Sequence, residues 1–187
     1  MVVGPGLGKN PEVLPIIQLL AENNLPLIVD ADGINALAAN IDSIKEHSAP
    51  VILTPHPGEF ARLCGRTIPE VQENRLKMAR EFAVRHDVVL VLKGAGTVTA
   101  VPDGRCFINP TGNPGMAVGG SGDVLAGMIA SLLGRGMKAD QAAMAGVYVH
   151  GLTGDLLKEK MGEDGMLPTD LIGQIPYALQ RIKNPER

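Results

Sequence analysis

The sequence predicts an α/β fold with a mostly parallel central sheet flanked by helices. Three observations lead there. Short apolar runs at residues 27–30, 51–54 and 88–93 alternate with segments of helical periodicity. The last of these, Val88-Val89-Leu90-Val91-Leu92-Lys93, is unbroken, as in strands covered on both faces. Residues able to do chemistry collect just after the apolar runs, where open parallel sheets place their ligands.

Taken in order, Met1, Val2 and Val3 read as the end of a buried strand that runs into Gly4-Pro5-Gly6-Leu7-Gly8. Residues 11–22 are helical, with Leu14, Ile17, Leu20 and Ala21 on one face. The strand at 27–30 ends in Asp30, and Asp32 is expected to cap a helix over 33–39. The strand at 51–54 is closed by Pro55, His56 and Pro57, with a short helix around 59–63. A long helix is predicted over 69–86, with Pro69 in its first turn. After the strand at 88–93, residues 97–101 and 106–108 form a hairpin across 102–105. Helices over 122–133 and 138–160 follow, the second rich in the small residues Ala139, Ala142, Ala143, Ala145 and Gly146, which suits close packing. Thr169 or Asp170 caps a final helix that Pro176 interrupts or bends.

Composition narrows the functional classes. The 187 residues show no linker, repeat or low-complexity stretch and read as a single domain, 1–187. With 17 basic and 20 acidic residues and no basic block, a nucleic-acid partner lacks its electrostatic footprint. Aromatic residues make up only 3% and tryptophan is absent, which argues against base-stacking platforms. No apolar run is long enough to span a bilayer, and the first residues show no secretion signal, so a cytoplasmic location is expected. Cys64 and Cys106 stand in no metal-ligand spacing and read as free thiols, and no protein-ligated metal site is expected.

The densest chemical signal is Thr111-Gly112-Asn113-Pro114-Gly115-Met116-Ala117-Val118-Gly119-Gly120-Ser121-Gly122-Asp123, with five glycines between positions 112 and 122. Bare backbone lets a ligand lie against N–H groups, and amides converging on a helix start make an anion site. Asp123, delivered just as the helix begins, is suited to take a proton from a hydroxyl held beside a phosphate. Alternatively, it is a first-turn carboxylate favoured by the helix dipole.

Four other segments reach the same edge. Gly4-x-Gly6-x-Gly8 fails the dinucleotide pattern at Lys9 and does not meet P-loop spacing, leaving a tight turn open to a ligand or purely structural. Asp30 could hold a sugar hydroxyl or an ion, or close an Asx turn, and Asn35 could face the same crevice. His56, held between two prolines, either contacts a ligand or caps the following short helix. Lys93-Gly94-Ala95-Gly96-Thr97 either sets a positive charge beside phosphates or ends its strand in a snorkelling lysine. His47 and His86 read as surface or helix-end residues, and His150 as packed within its helix.

Gly119-Gly120-Ser121-Gly122-Asp123, Lys93-Gly94, His56-Pro57-Gly58-Glu59, Gly4-Pro5-Gly6-Leu7-Gly8 and Asn113-Pro114-Gly115-Met116-Ala117 together resemble the ADP/ATP-dependent NAD(P)H-hydrate dehydratase family. That family lies in the ribokinase-like superfamily, which the Gly-x-Gly-Asp element alone already marks. The resemblance implies a ribokinase-like fold and a lyase that repairs hydrated NADH and NADPH. It would phosphorylate the ring hydroxyl left by hydration and then eliminate phosphate, with ADP or ATP as co-substrate, Mg²⁺, and the hydrate as substrate. The compactness of the chain leans toward ADP, as in bacterial members.

By the resemblance, Asp123 and Gly122 carry catalysis. Lys93, Gly94, Ala95, Gly96 and Thr97, with Gly119, Gly120, Ser121 and Gly122, hold the nucleotide. Gly6, Gly8, His56, Asn113 and Asp123 face the hydrate. Family members carry further strands, a Gly-Ser-x-x-(Tyr/Phe)-(Thr/Ser)-Gly-Ala segment and an alanine-rich helix upstream. None of it is present, so an N-terminally truncated, partial domain is expected, with homo-oligomerisation, for example to a tetramer, covering exposed apolar surface. Two alternatives remain: a ribokinase-like kinase acting on a vitamin-precursor alcohol, and a non-catalytic nucleotide-binding remnant.

Overall fold

The computed structural model describes residues 1–184. Among these, six strands form one sheet in sequential order: β1 (Val2–Val3), β2 (Leu27–Val29), β3 (Val51–Leu53), β4 (Val89–Leu92), β5 (Val98–Ala100) and β6 (Cys106–Ile108). β1 to β4 run parallel, with Val3 beside Val29, Val29 beside Leu53 and Leu53 beside Leu90. β5 turns back antiparallel on β4 and pairs in turn with β6, the expected hairpin.

Each parallel step advances one strand, so right-handed connections lay their helices on a single face. These are α1 (Val13–Ala21), α2 (Asp32–Leu37), α3 (Pro57–Cys64), α4 (Ile68–Glu73) and α5 (Arg75–His86). Their apolar sides bury Leu27, Val29, Leu53, Leu90 and Leu92 together with Ile17, Ile34, Phe60 and Phe82. The opposite face carries Ile28, Ile52, Val89 and Val91, which pack on α6 (Ser121–Gly134) and α7 (Ala139–Met161). The strands are apolar on both faces because both faces are covered. A smaller cluster, Leu157, Met166 and Leu171, seats α8 (Pro168–Lys183).

Three predicted boundaries move. The long helix over 69–86 is two helices, because Asn74 leaves helical geometry (φ −126°, ψ 25°) and its amide donates to Glu70 O at 3.2 Å. The break starts a new helix at Arg75, whose guanidinium reaches Leu92 O at 3.1 Å. Asp32 is not a cap: α2 starts at Asp32 itself after Ala31, and the carboxylate accepts instead from Gly8 N–H at 2.7 Å. α8 begins at Pro168, with Asp170 reaching back to Leu167 N–H at 2.9 Å, and it is not interrupted by Pro176. That proline is exposed, so the carbonyl it leaves unpaired meets water.

The small residues of α7 are needed for approach. A Cβ at Gly146 would stand 2.6 Å from Ile129 Cγ1 on α6, and Cβ atoms at Gly151 and Gly154 would run into Thr111 and Met116. Gly146→Ala is therefore expected to destabilise the fold by about 1–3 kcal/mol in chemical denaturation. The helix-propensity gain of about 1 kcal/mol would not offset the overlap.

Candidate active site

The glycine loop is braced before it reaches α6. Asn113 starts a short 3₁₀ turn, Pro114–Met116, and its side-chain oxygen accepts from Gly115 N–H at 3.1 Å. Asp155 of α7 holds the loop with both carboxylate oxygens, accepting from Gly112 N–H at 2.9 Å and Asn113 Nδ2 at 3.0 Å. Gly120, at φ +92°, then turns the chain into the helix. The N–H groups of Gly119, Gly120, Gly122 and Asp123 find no acceptor among the described residues. Asp123 sits in the first turn of α6, exposed, and its carboxylate has no protein partner there.

Beneath this turn lies a charge pair. Lys93 Nζ stands 2.9 Å from Asp30 Oδ1, and the Asp30 side chain is 1% exposed against 21% for Lys93. A Cβ at Gly122 would lie 3.2 Å from Lys93 Nζ and 3.6 Å from Asp30 Oδ2. Glycine at 122 thus leaves room for the lysine below. On the neighbouring side, Ser121 Oγ lies 3.3 Å from His150 Nε2. Burial first, and the nearby Lys93 charge after it, push the His150 imidazole down from 6.5 to about 4, so it is neutral at physiological pH.

The front of the crevice is built by close backbone contact. Gly4 presses on the carbonyl of Asp30, where no Cβ fits, and a Cβ at Gly33 would stand 2.7 Å from Val29 Cγ1. Ala31, between the two aspartates, takes φ 48° and ψ −119°, a conformation that L-residues rarely adopt. The turn sends Asp30 toward Lys93 and Asp32 toward Gly8. Gly6 and Gly8 have open space around them.

His56 caps α3. Its Nδ1 accepts from Gly58 N–H at 3.0 Å, and Glu59 returns the bond to His56 N–H at 2.7 Å. With Nδ1 accepting, the proton of the neutral ring sits on Nε2, which faces Glu59 Oε1 at 3.3 Å. His56 is half exposed, so part of its ring stays open to solvent. Gly94, Ala95 and Gly96 form an exposed loop after β4, and Thr97 Oγ1 closes it on Gly94 O at 3.0 Å. Asn35 is taken up by Arg62, whose Nε donates to it at 2.9 Å.

The structure thus brings Lys93 against Gly122, one residue from Asp123, and ties Asn113 to α7. Sequence reading missed the partners: Asp30 for Lys93, Asp155 for the loop, His150 for Ser121. These pairs are 63, 42 or 43, and 29 residues apart, and no local pattern joins them. A cavity of about 890 Å³ along α5, lined by Arg75, Arg80 and Val84, contains none of the site residues that the sequence suggests. Cys64 and Cys106 are free, and burial pushes the Cys64 thiol up to about 11, leaving it unreactive.

A sequentially ordered α/β sheet with unpaired amides and a free carboxylate at a helix start beyond its strand ends defines a ribokinase-like protein. A ribokinase-like superfamily protein from Enterococcus faecalis superposes with a TM-score of 0.79 at 30% identity, over 96% of this chain and 62% of that one. The family model described as NAD(P)H-hydrate dehydratase matches residues 1–177, and the chain belongs to that family. It is 46% identical to the bifunctional NAD(P)H-hydrate repair enzyme Nnr of Moorella thermoacetica over 184 residues, 98% of this chain and 35% of the relative. The Bacillus subtilis ADP/ATP-dependent NAD(P)H-hydrate dehydratase co-crystallized with ATP/Mg²⁺ superposes with a TM-score of 0.88 at 38% identity, over 96% of this chain and 63% of that one. The chain therefore spans about a third of the length of the bifunctional relative.

Two outcomes follow from this geometry. His150 takes up a proton at its ordinary value when unfolded but stays neutral when folded, so its contribution is full above pH 6.5 and is lost as pH falls toward 4. His150→Gln should flatten the unfolding free energy against pH in that window, by on the order of 3 kcal/mol at most. Asp155→Ala removes two charge-assisted bonds to the loop and should cost about 2 kcal/mol. Hydrogen exchange should speed up at Gly112 and Gly115 in that variant, which a chain-wide loss of stability would not single out.

Proposed function

We propose that the chain carries the phosphoryl-transfer and elimination chemistry of NAD(P)H-hydrate repair. It binds ADP or ATP with Mg²⁺, phosphorylates the ring hydroxyl of hydrated NADH or NADPH, and eliminates phosphate to return the reduced coenzyme. One observation carries this reading: four amides and a carboxylate that have no partner among the described residues occupy the same helix start, over a lysine.

In this reading the amides of Gly119, Gly120 and Gly122, with Ser121, take the transferring phosphoryl group, where fixed donors stabilise developing charge. Lys93 adds a point charge below, and Gly94, Ala95, Gly96 and Thr97 border the nucleotide. Gly6, Gly8, His56 and Asn113 face the hydrated coenzyme. Asp123 accepts the hydroxyl proton as the oxygen attacks the terminal phosphorus, and AMP leaves from ADP, or ADP from ATP. Phosphate then departs with the carbon–oxygen bonding pair, and loss of a neighbouring ring proton restores the double bond. Among the described residues no three His, Cys, Asp or Glu side chains gather around a metal. Mg²⁺ would enter with the nucleotide and offset the charge of its phosphates.

The reading extends to a cytoplasmic protein that works as one domain and assembles with copies of itself. No helix among the described residues is long and apolar enough to cross a membrane. Ile172, Leu179 and Ile182 are exposed at positions that share one face of α8, which supports self-association.

Incubation with hydrated NADH, Mg²⁺ and ADP or ATP should restore the near-ultraviolet absorbance of the reduced coenzyme. Failure to restore it, with phosphorylation of a thiazole or pyrimidine alcohol instead, would overturn the reading in favour of a vitamin-precursor kinase. Nucleotide binding without turnover of either kind would leave a non-catalytic remnant. Asp123→Asn should lower turnover by about 10²–10⁴-fold while leaving nucleotide affinity unchanged in calorimetry. Undiminished turnover would remove Asp123 from the mechanism.

A further inference from the structure

We propose that Asp30 is a positioning residue, which holds the Lys93 ammonium under the first turn of α6 so that the charge meets the transferred group in one fixed place. Asp30 lies at the end of β2 and Lys93 at the end of β4, two strands away, and their contact at 2.9 Å crosses the end of β3. Lysine has a flexible four-carbon stem and no directional head, so it is placed only by what it touches. Here one side of the ammonium meets a buried carboxylate, while the remaining exposure of the side chain leaves another side open.

Two further features point to placement rather than to stability. A buried ion pair seldom makes a fold more stable than an apolar pair of the same volume would. Yet the backbone accepts an unfavoured conformation at Ala31, next to Asp30, and α6 keeps a glycine at 122, directly over both charges. An alanine there would stand 3.2 Å from the ammonium and press on the pair. The arrangement keeps the lysine in contact with the helix start whose amides are free.

The kinetic arm of the test rests on the proposed repair activity; the labelling arm does not. Asp30→Asn keeps the side-chain volume and removes the charge. Brief acetylation with acetic anhydride at fixed pH, read by peptide mass spectrometry against exposed Lys77 and Lys138, should modify Lys93 roughly threefold more in Asp30→Asn. Unchanged labelling would overturn the proposal whether or not the chain turns over a substrate. In the repair assay Asp30→Asn should lower kcat roughly tenfold or more, with KM for the hydrate moving less than about threefold.

Adding Asp30→Asn to Lys93→Met should change kcat, or nucleotide affinity in calorimetry, by less than about twofold, because Asp30 acts through the lysine. Independent, multiplicative losses would overturn it. Lys93→Met alone leaves the sealed Asp30 carboxylate without its cation, so this comparison is read with both variants shown folded by circular dichroism, and where Lys93→Met unfolds the labelling of Asp30→Asn decides the proposal. Increased labelling in a protein with no repair turnover would keep the positioning role and reject the repair reading.

Discussion

A carboxylate sealed inside a protein is tolerated only beside a cation, and Asp30 is sealed. Its partner comes from a strand two places along the sheet, so the ends of β2, β3 and β4 must be level before the pair can form. The parallel register does this, with Leu27 to Val29 matched to Val51 to Leu53 and Leu53 to Leu90. Helix α6 then lies over the pair through Gly122, close enough that a methyl group would touch both charges. Sheet register, helix placement and the glycine requirement all meet at this one contact.

The site above it combines fixed donors with neutral support. The amides at the start of α6 are left free, and His150 reaches Ser121 without adding a charge, because burial keeps its ring neutral. Positive potential at the helix start thus comes from the backbone and from Lys93, which Asp30 partly offsets. Asp123 is the carboxylate of the turn, exposed and without a partner among the described residues. Asp155 and the close contacts of Gly151 and Gly154 fix the preceding loop to α7, so the amides and Asp123 rest on a braced base.

Much of the fold was legible in the sequence. Runs such as Val88 to Leu92 are unbroken because each face of the sheet meets a helix layer, and apolar side chains are then required at every position. The glycine loop was legible for a similar local reason, since glycine density followed by a carboxylate at a helix start is a pattern along the chain. Local patterns failed where a residue was claimed from elsewhere. Asp32 has the chemistry of a cap, but Gly8 takes its carboxylate across the crevice. Asn74 looks like one more residue in a long helix, but the chain restarts there with an arginine that reaches the end of β4. For His56 the sequence left two roles open, and the structure shows the capping role with the ring edge still exposed.

By itself the sequence determined the α/β alternation, the glycine loop that runs into Asp123 at a helix start, and the family. Each is encoded by residue type at short spacing, where backbone preference and periodicity act. Only the tertiary structure decided that Lys93 is paired with Asp30, that His150 stands neutral against Ser121, and that Asp155 holds the loop. Those choices depend on strand register and helix packing, which bring together side chains 29 to 63 residues apart, and no local propensity reaches that far.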